Sequence, residues 1–431
     1  MQVLVCACKR YWMVRQARRR AAPRLRCLGG RRQDADRAPI SERALSVAHT
    51  YSIEDLRERA RRRLPKAVFD FIDGGADGEV TLTRNRLDFD CIEFLPRVLV
   101  DVSRRDLSAS VLGVQTALPV VIAPTGLAAL AWPRADIAIA RAAQASTVPF
   151  TVSTSSSVAL ESIRRSAPNA RLWFQAYVYK DRDLVRSLVR RAANVDCEAL
   201  VLTVDVPVLG QRPRDRRNRF TVPLRPTPRL VWDLLRCPRW TYGIVRHGVP
   251  RMQNLVEAGD ANRSITDLAN LMTRNMDSSL SWDDVSWVRD LWQRKLVIKG
   301  VLAAQDAEMA VRRGFDAVVV SNHGGRQLDC APSAVSMLPD VVSVAGTRAE
   351  VYLDGGVRRG SDIAKALALG ARAVLLGRGA LFGAAAGGEA GTAHALEILR
   401  AELDRCLALV GCPAAANLNE AFLHKRVSAT A

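Results

Sequence analysis

The sequence predicts an α/β protein built as one closed (β/α)8 barrel of the TIM type, with helices before the first strand and a basic insertion after the fourth. Eight short apolar runs recur about 22 to 33 residues apart, with one longer gap, and an amphipathic stretch follows each run. Apolar strands that alternate with helices indicate a parallel sheet buried on both faces, and eight such units close into a barrel. The runs are Val120–Ala123, Phe150–Val152, Leu172–Phe174, Leu200–Leu202, Leu296–Ile298, Val318–Val320, Val351–Leu353 and Val374–Leu376.

Polar or ionisable residues follow nearly every run. The active site of a β/α barrel lies at the C-terminal ends of its strands, so we expect functional side chains at these positions. A doubly wound open sheet is the alternative architecture, but it rarely needs eight sequential units.

Two short helices are expected before the barrel. Ser52 is a candidate N-cap followed by acidic residues, and the first helix runs to about Arg63. A second helix follows Pro65 and ends at the string Asp73-Gly74-Gly75.

The net charge of +19 is unevenly distributed along the chain. Residues 1–50 carry 12 Lys and Arg against 3 Asp and Glu, and we expect them to be a disordered basic leader before a barrel domain at 51–425. A mitochondrial transit peptide is the less favoured interpretation, because no Ser precedes Ser41.

Nine scattered cysteines contain no CxxC pair. This pattern argues against a disulfide framework or a metal site and indicates a reducing compartment. No apolar run reaches the roughly 18 to 20 residues that span a bilayer. We therefore expect a cytoplasmic location and no metal.

The longer gap holds an insertion at about 215–290. Its segment 221–256 contains six Arg and one acid, with Trp232, Trp240 and Tyr242 interleaved. This mixture suits peripheral contact with an anionic membrane surface, and an ordinary solvated loop is the alternative. Nucleic-acid binding is disfavoured, because no recognition motif accompanies the charge.

His323 and Arg326 follow the sixth run in the string Ser321-Asn322-His323-Gly324-Gly325-Arg326-Gln327-Leu328-Asp329. Imidazole is the natural proton acceptor near neutral pH, and guanidinium is the natural bidentate partner of a carboxylate. A lone His is more often structural, but a His beside an Arg on a barrel rim predicts a base next to an anion clamp.

Glycine-rich loops follow the seventh and eighth runs. They read Asp354-Gly355-Gly356-Val357-Arg358 and Gly377-Arg378-Gly379. Glycines let the backbone approach an anion closely, and these two loops are the usual phosphate site of β/α barrels. We expect a phosphate-bearing ligand, although tight turns alone would also explain the glycines.

Lys299 ends the fifth run, and Asp205 follows the fourth run near Arg212. A Lys that points into a barrel mouth needs a negative or polarised partner. A carboxylate at the mouth can orient a His and favour its charged form.

With these residues the chain resembles the FMN-dependent enzymes that oxidise L-2-hydroxy acids, over residues 51–420. The string at 321–329, Leu353–Gly360 and Leu202–Pro207 are highly specific for this family. The stretches Pro124–Leu127, Trp132-Pro133 and Arg246–Pro250 resemble the mandelate-oxidising members more than the lactate-oxidising ones.

The resemblance implies that His323 takes a proton from the substrate while the flavin N5 receives two electrons, formally as a hydride. Arg212 and Arg326 would hold the substrate carboxylate, Tyr177 would bind the substrate oxygens, and Asp205 would orient His323. FMN-binding residues would be Pro124, Thr125, Gly126, Ser153, Gln175, Thr203, Lys299 and Ser321, with its phosphate near Asp354, Gly355, Gly356, Arg358, Gly377 and Arg378.

Two positions bear on the substrate. The family usually has a Tyr where Phe71 stands, so we expect weaker binding or a more apolar substrate. In the family, a small residue at the position of Gly126 is typical of dehydrogenases or of enzymes with bulky substrates. A dehydrogenase would pass its electrons to a membrane quinone or another acceptor, not to oxygen. The resemblance also implies a homotetramer. The basic segment 221–256 would place the protein peripherally on the inner membrane.

Other functions remain open on the sequence alone. They are an L-lactate dehydrogenase, an oxidase that uses oxygen, a phosphate-binding barrel isomerase, a nucleotide dehydrogenase and a binding protein without catalysis. The last three leave the joint presence of His323 and Arg326 unexplained.

Overall fold

The computed structural model describes residues 47, 49–218, 228–258 and 275–424. Apart from residues 47, 49 and 50, the predicted leader at 1–50 lies outside the described residues, as does 221–227 of the basic segment.

Eight parallel strands close into one barrel, which confirms the predicted fold class. A hairpin of β1 and β2 precedes them, so the barrel strands are β3 to β10, in sequential order, with β10 paired to β3. All eight predicted runs overlap barrel strands. The ten strands are β1 Ala109–Val111, β2 Val114–Thr116, β3 Val120–Ile122, β4 Phe150–Ser153, β5 Leu172–Tyr177, β6 Ala199–Thr203, β7 Lys295–Val301, β8 Ala317–Ser321, β9 Glu350–Asp354 and β10 Ala373–Leu376.

Among the described residues, three helices precede the barrel, namely α1 Ile53–Arg63, α2 Lys66–Asp73 and α3 Val80–Asp90. The predicted cap of α1 is confirmed, because Ser52 Oγ accepts a hydrogen bond from the N–H of Asp55 at 3.1 Å. The predicted end of α2 is confirmed too, since Gly74 follows its last residue. Helix α3 and the hairpin were not predicted.

The remaining helices cover the barrel and form the insertion. Around the barrel lie α4 Ala135–Ala145, α5 Leu160–Ser166, α6 Arg182–Asn194, α11 Ser286–Leu291, α12 Ala304–Arg312, α13 Ala334–Ala345, α14 Gly360–Ala368 and α15 Arg378–Val410. The insertion contains α7 Pro213–Arg217, α8 Pro228–Arg236, α9 Pro238–His247 and α10 Gln253–Ala258. Non-helical Gly387 and Gly388 break α15 into two parts.

Two buried side chains attach the insertion to the barrel. Trp240 Nε1 donates to the carbonyl of Leu130 at 2.7 Å. The side-chain amide of Asn254 accepts from the N–H of Leu160 and donates to the carbonyl of Ser153, both at 3.0 Å. Among the described residues, no helix has the length and apolar character needed to cross a bilayer.

The barrel interior changes from apolar to polar along the strands. Its base is an apolar cluster that includes Trp173, Val201, Val297, Val319, Tyr352 and Leu375 and is closed by the hairpin residues Val111 and Leu112. Because successive side chains of a strand alternate between its two faces, the next inward position lies two residues further on. Those positions are Gln175, Thr203, Lys299, Ser321, Asp354 and Gly377. All six are among the predicted site residues.

Candidate active site

His323 and Asp205 form a hydrogen-bonded pair at the barrel mouth. Nδ1 of His323 lies 3.0 Å from Oδ1 of Asp205. The backbone of His323 is left-handed, with φ of +56°, and its N–H donates to Ser321 Oγ at 3.0 Å. Burial would raise the pKa of the Asp205 carboxyl, but His323 and Lys299 lower this pKa overall. A charged Asp205 favours the tautomer with a proton on Nδ1, which leaves Nε2 of His323 to accept a proton.

Gly300, which is not among the predicted site residues, makes room for Asp205. Its φ is +105°, and a Cβ there would lie 2.5 Å from Cγ of Asp205. The register between β7 and β8 shifts at this point, between Lys299 and Val301. A single Gly inside a strand often marks a bulge or a close approach of another group, so Gly300 could have been identified from the sequence on this ground.

Lys299 is a buried cation paired with a carboxylate. Its Nζ lies 2.7 Å from Oδ2 of Asp354 and 3.0 Å from Oγ of Ser321, which donates to the same carboxylate at 2.7 Å. Burial lowers the pKa of Lys299, but Asp354 and Asp205 raise it overall. Since an ammonium group has three N–H donors, one remains for a ligand in the mouth.

Arg326 and Arg378 converge on the C-terminal end of α2. Arg326 donates to the carbonyls of Phe71 at 2.8 Å and Gly74 at 3.0 Å. Arg378 donates to the carbonyls of Ile72 at 3.0 Å and Gly74 at 2.6 Å. The last carbonyls of a helix carry partial negative charge, so α2 positions both cations beside the mouth.

Burial is the first cause that disfavours the charged forms of three arginines at the mouth, Arg326, Arg358 and Arg378. Burial, with Arg212 and Arg378 next, holds the pKa of Arg326 well below its ordinary value. Burial also lowers the pKa of Arg378 to about 10 and that of Arg358 to about 9, and Arg378 is the second cause of the Arg358 shift. Buried cations that depress each other's pKa create a site that a bound carboxylate or phosphate would stabilise.

Phe71 lies beside both predicted carboxylate clamps. The guanidinium carbons of Arg212 and Arg326 are 5.4 and 5.3 Å from its ring centroid. Arg212 also pairs with Asp215 at 3.2 Å. Burial holds the pKa of Tyr177 above its ordinary range, so its hydroxyl remains a hydrogen-bond donor. The structure thus brings the four predicted substrate-binding residues together.

Residues 60–425 match the family described as FMN-dependent dehydrogenase. The chain belongs to this family. FMN is therefore its cofactor.

The similar proteins agree with that assignment. (S)-mandelate dehydrogenase of Pseudomonas putida is 46% identical over 373 residues, which cover 86% of this chain and 93% of that protein. L-lactate dehydrogenase of Caulobacter vibrioides is 43% identical over 377 residues, covering 87% and 98%. A crystal structure of (S)-mandelate dehydrogenase, described as a monotopic membrane protein, has a TM-score of 0.84 and 45% identity and covers 87% of this chain and 99% of that one.

The barrel mouth of this family member has the donors that FMN requires. Gln175 Nε2 and Thr203 Oγ1 are buried with no hydrogen-bond partner in the described part of the chain, and a ligand bound in the mouth would satisfy them. Arg358 and Arg378 supply positive charge for a phosphate, because burial lowers the pKa of both although nearby carboxylates raise it. A Cβ at Gly377 would meet Ala123 Cβ at an ordinary 3.7 Å, so internal packing does not require this glycine. These residues fit FMN.

Other predicted cofactor residues have a structural role as well. Ser153 Oγ donates to Gln175 Oε1 at 3.2 Å and fixes that amide. Gly126, in the loop that Pro124 and Thr125 begin after β3, could not carry a Cβ without approaching Ser155 Cβ to 2.9 Å.

The loop after β9 departs in part from its predicted role. The carboxylate of Asp354 pairs with Lys299 instead of facing a phosphate, because a buried ammonium needs a counter-ion. Gly355 and Gly356 have φ of +113° and +83°, and a Cβ on Gly356 would lie 2.1 Å from the carbonyl oxygen of Asn85. Gly356 is therefore needed for packing against α3, whatever its contact with FMN.

Several contacts hold the loop after β8 against α3, and the side chains that make them had no predicted role. The Asp329 carboxylate accepts from the N–H groups of Gly78 at 2.9 Å and Thr81 at 2.8 Å. The side-chain amides of Asn85 and Asn322 exchange two hydrogen bonds of 2.8 Å. Asn322 and Asp329 flank His323 and Arg326 in sequence.

Within the described ranges, no group of three or more His, Cys, Asp or Glu side chains is placed to hold a metal ion.

Proposed function

We propose that this FMN-dependent dehydrogenase oxidises an L-2-hydroxy acid to a 2-oxo acid. The observation that carries the proposal is one constellation. The charges of Asp205, Arg212 and Arg326 all act on the Tyr177 hydroxyl, so the His323–Asp205 pair lies beside the Arg212 and Arg326 clamp, at the mouth that holds Lys299. A base next to a carboxylate clamp suits a substrate whose carboxylate and hydroxyl are on adjacent carbons.

Each residue of the site has its own role in this reaction. Arg212 and Arg326 bind the substrate carboxylate, and the Tyr177 hydroxyl donates to a substrate oxygen. His323 Nε2 accepts a proton from the substrate, and the Asp205 carboxylate stabilises the imidazolium that forms. FMN, when bound, accepts the two electrons that the substrate loses. Gln175, Thr203 and Lys299 would hold its ring, and Arg358 and Arg378 its phosphate.

A mandelate-like, aromatic substrate is the preferred one. The 46% identical relative carries that activity in its name, and the site supplies Phe71 where a hydroxyl donor is usual in the family. Without that donor at the carboxylate clamp, more of the binding free energy has to come from burial of an apolar substrate group. L-lactate is the second candidate, because a relative of that name is 43% identical.

We also propose that the protein docks peripherally on the cytoplasmic face of the inner membrane and reduces a quinone there. Among the described residues of the insertion, the exposed large apolar side chains include Trp232, Leu235, Tyr242 and Val245. Arg residues lie among them in the sequence. This combination suits an anionic interface. Assembly as a homotetramer is proposed on the family resemblance.

Anaerobic reduction of the flavin tests the activity. Purified protein should be yellow and should bleach fastest with (S)-mandelate, more slowly with L-lactate and glycolate, and not with (R)-mandelate. Reoxidation by a soluble quinone should exceed reoxidation by oxygen. Failure of every 2-hydroxy acid to bleach the flavin would contradict the proposal, and rapid reoxidation by oxygen would make the protein an oxidase.

A further inference from the structure

A cavity of about 310 Å³ lies where α9 of the insertion meets the loop after β3. We call it the headgroup cavity, and its lining includes Arg63, Trp132, Pro133, Arg239, Trp240 and Tyr242. None of these residues has a part in the proposed oxidation.

The headgroup cavity is cationic. Arg63, in the last turn of α1, places its guanidinium carbon 4.1 Å from the ring centroid of Trp132. Burial, then Arg239 and Arg59, lowers the pKa of Arg63 to about 10, and no carboxylate is among the causes. A half-buried guanidinium that other cations destabilise is a place where an anion binds favourably.

The walls of the headgroup cavity are firmly packed. Trp240 is buried and hydrogen-bonded to the carbonyl of Leu130. A Cβ on Gly243 would lie 2.9 Å from Cγ of Pro133, so α9 rests directly on the loop. A site whose walls exist before the ligand arrives loses little entropy on binding.

The surroundings of the headgroup cavity are apolar and exposed. Residues 239, 242 and 245 follow each other at intervals of three and therefore share one face of α9. Tyr242 and Val245 are 66% and 79% exposed, and on α8 Trp232 and Leu235 are 62% and 70% exposed. A cationic cavity beside exposed apolar side chains is complementary to an amphiphile with an anionic head.

We propose that the headgroup cavity binds the phosphate of an anionic phospholipid between Arg63 and Arg239, with the acyl chains along the exposed faces of α8 and α9. The proposal rests on the proposed membrane docking and adds to it a specific lipid class and site. Trp132 and Pro133 belong to the loop that begins with the flavin-binding residues Pro124, Thr125 and Gly126. A bound lipid would therefore fix the barrel mouth relative to the membrane surface.

Titration of the FMN-loaded protein with monomeric short-chain lipids tests this site, read by the change in total tryptophan fluorescence, to which Trp132 and Trp240 contribute. Dihexanoyl phosphatidylglycerol should change the emission and saturate, and dihexanoyl phosphatidylcholine should not. R63Q and R239Q should each weaken binding about tenfold or more, as expected for a lost charge-assisted hydrogen bond. R62Q is the matched control, because Arg62 is exposed in the same turn of α1, and it should bind like wild type.

Several outcomes would overturn the lipid site. They are an equal response to the two lipids, an equal loss in R62Q and R63Q, or inorganic phosphate binding as tightly as the short-chain phosphatidylglycerol. Because Arg239 is exposed, R239Q tests the cavity even if R63Q does not fold. Flavin bleaching by substrate, measured on the same variants, should be unchanged. Loss of bleaching in the wild type would count against the proposed oxidation and not against the lipid site.

Discussion

Phe71 shows how one side chain at the mouth can tune the substrate without touching the chemistry. Its ring contacts the two guanidinium groups proposed to bind the substrate carboxylate, whereas the proton acceptor is on the separate His323–Asp205 pair. A change at this position should therefore act on binding more than on the chemical step.

Restoring the family residue with Phe71→Tyr should lower the KM for hydroxy acids by about tenfold or more, because a hydrogen bond to a charged group contributes ~1.5 to 3 kcal/mol. The kcat should change much less. Steady-state kinetics with mandelate and lactate provide the measurement. Phe71→Leu is the control, since it removes the ring without adding a hydroxyl and should not lower KM. An unchanged KM for every active substrate in the Tyr variant would refute the assignment of Phe71.

Most of the candidate site residues could be predicted from the sequence, because they lie at the ends of strands that carry a clear local pattern. Lys299, Ser321 and Asp354 occupy inward positions of their strands, and strand periodicity together with barrel topology fixes where such positions meet. The tertiary partners could not be predicted in this way. The pairing of Asp354 with Lys299 and the space that Gly300 leaves for Asp205 depend on distances between strands, which a single sequence does not encode locally.

Helices and strands also differ in how strongly the local sequence predicts them. The runs that form β3 to β10 carry strong local signals, and Ser52 marks the start of α1. The hairpin of β1 and β2 has only three residues per strand, too few for a clear period. Helix α3 has its N–H groups capped by Asp329, which is about 250 residues away along the chain. Caps supplied from such distances leave no mark in the local sequence.

Helix α4 offers a test at the level of an element, because its first turn contains the buried Asp136. Burial raises the pKa of Asp136 to about 6, and hydrogen bonds from Ser156 and two backbone N–H groups offset only part of this effect. Since the folded-state pKa is the higher one, the protonated carboxyl favours the folded state at low pH. That contribution is complete below about pH 4 and is lost as the pH rises through about 6.

Asp136→Asn should therefore raise the free energy of unfolding, relative to wild type, more at pH 8 than at pH 4, by up to about 3 kcal/mol. Thermal unfolding of the FMN-loaded proteins across this pH range provides the measurement. Asp183→Asn is the matched control, because Asp183 lies in the first turn of α6 with an exposed side chain. A pH-independent difference between wild type and Asp136→Asn would show that burial does not raise the pKa of Asp136 above its value in the unfolded chain.

On the scale of the whole molecule, charge and apolar exposure coincide in the insertion. The chain carries a net charge of +19, and the exposed Trp232, Leu235, Tyr242 and Val245 lie on two consecutive helices that are anchored to the barrel by Trp240. A barrel attached to the membrane through α8 and α9 would keep its catalytic side chains in water while its electrons reach a lipid-dissolved acceptor. The insertion and the barrel mouth should therefore be separable by mutation.

Replacing residues 221–250 with a Gly-Ser linker should release the protein from membranes, because it removes the exposed apolar side chains together with the arginines among them. Asn254 stays in this variant, since its amide holds the segments at Ser153 and Leu160. Flavin content and the rate with a soluble dye acceptor should be retained, while the rate with membrane quinone should fall. Sedimentation with native membranes and the two rates provide the measurement. A variant that still sediments with membranes would disprove docking through the insertion, whereas loss of flavin would show that the insertion supports the barrel mouth itself.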